Sequence, residues 1–374
     1  MLTRRLVVHR CLGMCFMLIL IALSLAACSS GAPADTPTAV APESPLSDVT
    51  ETPISEEPTA TEVLLADPTP TLGGPVDTTP DIEMKETDLD AGATYDISFS
   101  PDGTLLAVGS GDGTIRLWNI ASGTIARKID TGGTGAGIAL FSPDGKYVAS
   151  QQSDTTLVLY DAATGIVPVR FEDQKEYLND ASFSADGKLV ASSDRGGVAK
   201  VWNVADKSQV AEFKGENDYS TGAVAISPDG EIVATALGED PITLWKLADK
   251  SVIRKLPISS NVLDIEFSPD GQMLAVAAND DTSGIWNVAG EDSTPVLPLG
   301  VIASKIAFSP DGSMVAAALP YDKVARVWNV SDGSVVKTVG ADTLFLLTEV
   351  AWSPDSKTIA TGGESMHFHL WHIR

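Results

Sequence analysis

The chain has 374 residues and a formal charge of −25, from 50 acidic against 25 basic side chains. Hydrophobic residues make up 44 %, enough for a large core, so most of the chain is globular. Phosphate binding needs Lys and Arg to displace counterions, so the acidic balance argues against a nucleic-acid partner.

Arg4, Arg5 and Arg10 precede an apolar run over residues 11–27, broken by Gly13 and Ser24. The run is short for a membrane span and suits the core of a signal peptide. It ends in Leu25-Ala26-Ala27-Cys28, which resembles the bacterial lipobox. The resemblance implies a signal peptide over residues 1–27 and lipid on Cys28, which becomes the first mature residue. It also implies a chain held on the extracytoplasmic side of a bacterial membrane. A plain signal peptide or an uncleaved anchor would use the same residues. The other cysteines, Cys11 and Cys15, leave with the signal, so the mature body has no disulfide and no thiol catalyst.

Residues 28–80 read as the lipid-bearing cysteine followed by a linker. From 29 onward the segment is rich in Pro, Thr, Ala and acid and contains no Lys or Arg. It cannot bury enough apolar surface to offset its chain entropy, and Pro and like charges keep it extended.

From residue 81 a repeat takes over. Phe-Ser-Pro-Asp-Gly at 99–103 returns as FSPDG at 141–145, FSADG at 183–187, ISPDG at 226–230, FSPDG at 267–271, FSPDG at 308–312 and WSPDS at 352–356. Successive copies lie 41–44 residues apart. A second marker keeps phase 17 or 18 residues after the third position of each motif: Trp118, Tyr160, Trp202, Trp245, Trp286, Trp328 and Trp371. Two markers in register at one period are a strong repeat signal.

Each unit predicts four short strands. In the first, Tyr95, Ile97 and Phe99 alternate with Asp96 and Ser98. Ser100-Pro101-Asp102-Gly103 then turns the chain: Pro presets a torsion, Asp bonds nearby backbone, and Gly accepts the closing geometry. Strands follow over 105–110, 114–120 and 124–129. This turn chemistry accounts for the repeated Asp without a ligand, and Asp186 keeps its place where Ala185 replaces Pro.

A four-stranded unit that is apolar on both faces must stack on neighbours. The repeated FSPDG, the small-residue second strand and the pairs Trp118-Asn119, Tyr160-Asp161, Trp202-Asn203, Trp286-Asn287 and Trp328-Asn329 resemble the WD-repeat β-propeller family. The resemblance spans residues 81–374. It implies an all-β, seven-bladed propeller of four-stranded antiparallel blades, closed by an N-terminal strand pairing with the last blade. HLWHIR at 369–374 ends as a third strand, so residues 81–87 are expected to pair with 366–373. The Gly-His pair that many members place before the first strand has no counterpart, because no His lies between Arg10 and Met366.

Chemistry has few places to sit. His367 and His369 share a strand face, but no third metal ligand is legible, and they suit an ordinary last-blade strand. Gly132-Gly133-Thr134-Gly135 lacks the Lys and helix of a phosphate loop. No cofactor, metal site or catalytic group is expected.

One constellation stands out. Three residues before each core aromatic come Asp96, Ile138, Asp180, Ala223, Asp264, Lys305 and Glu349. First strands of a propeller line its channel, so four carboxylates and a Lys should ring it at one height. Turns after the second strands add rim acids, among them Asp112, Asp154, Asp194, Asp240, Asp280 and Glu364. Loops before the first strands add Tyr177, Asn179, Tyr219 and Phe345, suited to contact. These groups read either as a docking face for a basic partner, a cationic ligand or Ca²⁺, or as a solvated rim. The resemblance favours a protein-interaction scaffold over an enzyme. The alternative is a ligand-binding or hydrolytic propeller of sugar or lactone type, with its site at the channel mouth and Ca²⁺ as a candidate requirement.

Overall fold

The computed structural model describes residues 82–85 and 92–374, apart from 134, 153, 154, 168, 173, 174, 216–221, 259–261, 341–345, 365 and 366. The expected signal peptide, Cys28 and the linker lie outside the described residues. So do Asp154, Tyr219 and Phe345.

The fold is the expected all-β propeller of seven four-stranded antiparallel blades. Blade 1 runs Thr94–Phe99, Leu105–Ser110, Thr114–Asn119 and Thr124–Asp130. The first strands of blades 2 to 7 are Leu140–Phe141, Leu178–Phe183, Gly222–Ile226, Val262–Phe267, Lys305–Phe308 and Leu347–Trp352. In blade 7 the third strand, His367–His372, lies antiparallel to Ile82–Lys85, with Ile82 opposite Leu370 and Lys85 opposite His367. No helix among the described residues is long and apolar enough to cross a membrane.

The period of two decides which seam each side chain enters. On Leu105–Ser110, Leu106 and Val108 pack toward blade 7, while Ala107 packs toward blade 2. On Thr114–Asn119, Ile115 and Leu117 face blade 2 and Trp118 faces blade 7. The same division gives one apolar cluster at every seam between neighbouring blades. At the seam between blades 7 and 1, Ile97, Leu106, Val108 and Trp118 meet Ala360, Phe368 and Leu370. The Trp118 and Phe368 rings meet edge-on, 5.3 Å apart. Small residues on the second strands let the sheets approach closely enough for these rings to fit.

The repeated Asp is a turn made seven times. In every copy the Ser hydroxyl donates to the Asp carboxylate at 2.5–2.8 Å. The same oxygen accepts the amide two residues on at 3.0–3.1 Å. This bonding stabilises the ionised form: at Asp311, against its partial burial, the Ser309 and Ser313 groups and the Arg374 guanidinium hold the carboxyl far below the usual range, and at Asp186 the Lys188 ammonium and amide with the Ser184 hydroxyl bring it down to about 2. The turns also come close across blades: a Cβ at Gly103 would meet Pro354, one at Gly145 Pro101, one at Gly187 Pro143 and one at Gly312 Pro269. The seventh copy has Ser356 where the others have Gly, in the left-handed region at φ 60°. Its hydroxyl accepts the Asp311 amide of blade 6 at 3.1 Å, which offsets the torsional strain.

The hydrogen-bond network expected to be missing with the His has a partial substitute. Trp245 Nε1 donates to Thr235 Oγ1 at 2.8 Å, and Trp371 Nε1 to Thr361 Oγ1 at 2.9 Å. The acceptor lies ten residues before the Trp. In blades 1 and 5 that position is Val108 and Val276, and the buried Nε1 atoms of Trp118 and Trp286 have no partner.

Candidate functional site

The first strands of successive blades pack side by side around the channel. In blades 1, 3, 5 and 7 the pairing of first and second strands slips by one residue just before the channel position. The slips fall between Thr94 and Asp96, Leu178 and Asp180, Val262 and Asp264, and Leu347 and Glu349. Each is an irregularity of the bulge kind, which re-aims the side chain that follows. The acids predicted from spacing are thus the residues that follow the irregularities.

The carboxylates reach from one blade to the next. Asp96 accepts the amide of Ile97 on its own strand at 3.0 Å and that of Ala139 in blade 2 at 2.7 Å. Asp180 accepts Ala181 at 2.8 Å and Val224 of blade 4 at 3.0 Å. Asp264, 4 % exposed, accepts Ile306 of blade 6 at 2.9 Å and the Lys305 ammonium at 3.1 Å. A second tier lies two residues along each strand. Ser98 accepts Phe141, Ser182 accepts Ile226 and Glu266 accepts Phe308, at 3.0–3.1 Å. In blades 1, 3 and 5 two acceptors therefore satisfy amides in the next blade, which explains why Ile138 and Ala223 suffice there.

The predicted channel residues do come together. Asp96, Asp180, Lys305 and Glu349 line a cavity of about 110 Å³ at the channel mouth, with Tyr95, Asn179 and Ser304. Asp264 sits behind Lys305. Tyr177 does not line the cavity; it is half exposed beside it in sequence, with the Arg195 guanidinium 5.6 Å from its ring centre. Of the rim acids, Asp112 is bound to the fully buried Arg116 at 2.7 Å, and Asp194 accepts the amides of Gly196 and Val198. Both shape their own turns.

Glu266 was missed by the sequence reading. The signal was present, since it lies two residues after Asp264 on one strand and so shares its face. Burial pushes its carboxyl up to about 8, with the neighbouring Asp264 charge adding to the rise. Burial raises Asp180 to about 7, opposed by Lys305 and reinforced by Asp264. Burial likewise raises Asp96 and lifts Glu349 well above the carboxylate range. Burial alone would lower the Lys305 ammonium, but Asp264, Asp180, Asp96 and Glu349 hold it well above the usual lysine value. Among the described residues, no three His, Cys, Asp or Glu side chains converge to hold a metal ion.

Seven four-stranded blades around a polar channel make this a β-propeller. The family model described as WD domain, G-beta repeat matches residues 90–119, 168–203, 250–287, 300–329 and 333–372. These segments centre on blades 1, 3, 5, 6 and 7, so five of the seven blades match the WD40 repeat. Propellers of this type are commonly protein-interaction scaffolds and typically non-enzymatic. No curated protein matches the chain.

Proposed function

We propose that the chain is a lipid-anchored scaffold on the extracytoplasmic side of a bacterial membrane, whose channel mouth docks a basic segment of a protein partner. The observation that carries the docking site is the mouth cavity, where polar side chains of four blades converge with more carboxyl groups than cations. Its volume favours an inserted side chain over a free small molecule. Small-molecule pockets run from about 300 to 1,000 Å³. A cavity of about 110 Å³ suits one inserted Lys or Arg side chain better than a free sugar or lactone. Rigid blades holding variable loops are where binding concentrates, and the half-exposed Tyr177 directly precedes the first strand of blade 3. The anchor rests on the LAAC sequence ending at Cys28 and on the uncharged-to-acidic linker after it.

The test is crosslinking in cells followed by mass spectrometry, with wild type beside Asp180→Asn/Glu349→Gln. A partner that presents a Lys- or Arg-rich segment, crosslinks at the mouth and is lost from the folded double variant supports the reading. Equal capture by both proteins overturns it. For the anchor, Cys28→Ser should release the protein from the membrane fraction and abolish fatty-acid labelling; unchanged fractionation and labelling would refute lipidation at Cys28.

A further inference from the structure

The channel network joins blades with charge, and this gives it a property that neither a partner nor a ligand is needed to explain. Its groups come from every first strand that carries a titratable side chain there. Tyr95 and Asp96 come from blade 1, Asp180 from blade 3, Asp264 and Glu266 from blade 5, Lys305 from blade 6 and Glu349 from blade 7. The first strands of blades 2 and 4, Leu140–Phe141 and Gly222–Ile226, contribute no titratable side chain. Five carboxyl groups therefore surround a single ammonium, and that ammonium touches Asp264. The four other carboxyls have backbone amides or a hydroxyl rather than a cation as close partners.

We propose that this network is a pH-responsive fastening of the channel face, tight in mildly acidic surroundings and loosened as the pH rises toward 9. The fastened bonds are the ones between blades at the acids without a cation partner: Val224 to Asp180 and Phe308 to Glu266. One protonated oxygen on a carboxyl leaves the other free to accept an amide, so protonation keeps these bonds while removing charge. Ionisation keeps the bonds too, but sets like charges against each other in a half-buried channel. The raised positions of Asp180 and Glu266 agree with this order of events. The sign follows from linkage. An acid that holds its proton more tightly when folded gives most stability below its unfolded value near 4. That stability is lost as the pH rises through 7 to 8. The exposed turn carboxylates act in the opposite sense below pH 4 and leave the alkaline limb to the channel.

The test is thermal unfolding of the full-length protein in detergent from pH 5 to pH 9. Wild type should lose at least about 4 °C between pH 6 and pH 9, and Asp180→Asn/Glu266→Gln should lose at most half as much. Asp186→Asn, in an exposed turn, should follow wild type over this range. Parallel profiles for wild type and the channel variant would overturn the proposal. Should the double variant fail to fold, hydrogen exchange in wild type decides. After correction for intrinsic rates, the amides of Val224 and Phe308 should be better protected at pH 6 than at pH 8.5. Equal protection would overturn the proposal.

Discussion

Replacing Asp264 with Ala removes the most buried member of the channel network. Two donors lose their acceptor at once, the Ile306 amide at 2.9 Å and the Lys305 ammonium at 3.1 Å. A buried amide left unpaired costs about 1–3 kcal/mol. Orphaning a fully buried charge costs about 3–5 kcal/mol. Lys305 retains 28 % exposure and has Asp96, Asp180 and Glu349 nearby, so its share is closer to about 1 kcal/mol. The expected loss is about 2–4 kcal/mol. Asp264→Asn keeps an oxygen for the Ile306 amide and loses the charge, so it should cost about half as much. Urea unfolding at pH 7 with an unchanged m value is the assay. Asp249→Ala, in an exposed turn where the carboxylate bonds Ser251, is the control and should shift the midpoint far less. An Asp264→Ala loss below about 0.5 kcal/mol would refute the view that these carboxylates join blades.

Other expectations concern the seams. Val276→Thr places a hydroxyl where Thr235 and Thr361 hold theirs, ten residues before the Trp, and gives Trp286 Nε1 an acceptor. It should stabilise by up to about 1 kcal/mol, while Thr235→Val should destabilise by about as much; shifts of the same sign in calorimetry would break the argument. Phe368→Ala empties the space beside Trp118 at the seam of blades 7 and 1 and should cost about 3–5 kcal/mol, measured by denaturant unfolding. Deleting residues 82–85 removes the strand that pairs with His367–His372 at four positions and should cost about 2–4 kcal/mol. It also exposes a strand edge, so light scattering should show association; an unchanged midpoint and a monodisperse sample would mean that blade 7 does not depend on this strand.

The sequence by itself determined the repeat, and with it the fold. Pro, Asp and Gly at one spacing can only be a tight turn, and an aromatic held 17 or 18 residues later marks the third strand, so seven blades are countable without coordinates. Spacing from the core aromatic also singled out Asp96, Asp180, Asp264, Lys305 and Glu349 as equivalent positions of successive first strands. What these side chains touch was decided by the tertiary structure. Strand irregularities re-aim Asp96, Asp180 and Asp264, whose bonds cross to amides some 42–44 residues away in the next blade. No local pattern encodes a partner at that distance. Glu266 escaped notice for the same reason: beside Asp264 it reads as one more acid of a charged chain, and its meaning comes from Phe308 opposite. The Thr acceptors for Trp245 and Trp371 sit on a neighbouring strand and look like ordinary β-formers until the sheet is assembled. Turn geometry is written in adjacent residues because torsions are local, whereas burial, charge and proton affinity belong to the ring, because they depend on which blades face one another.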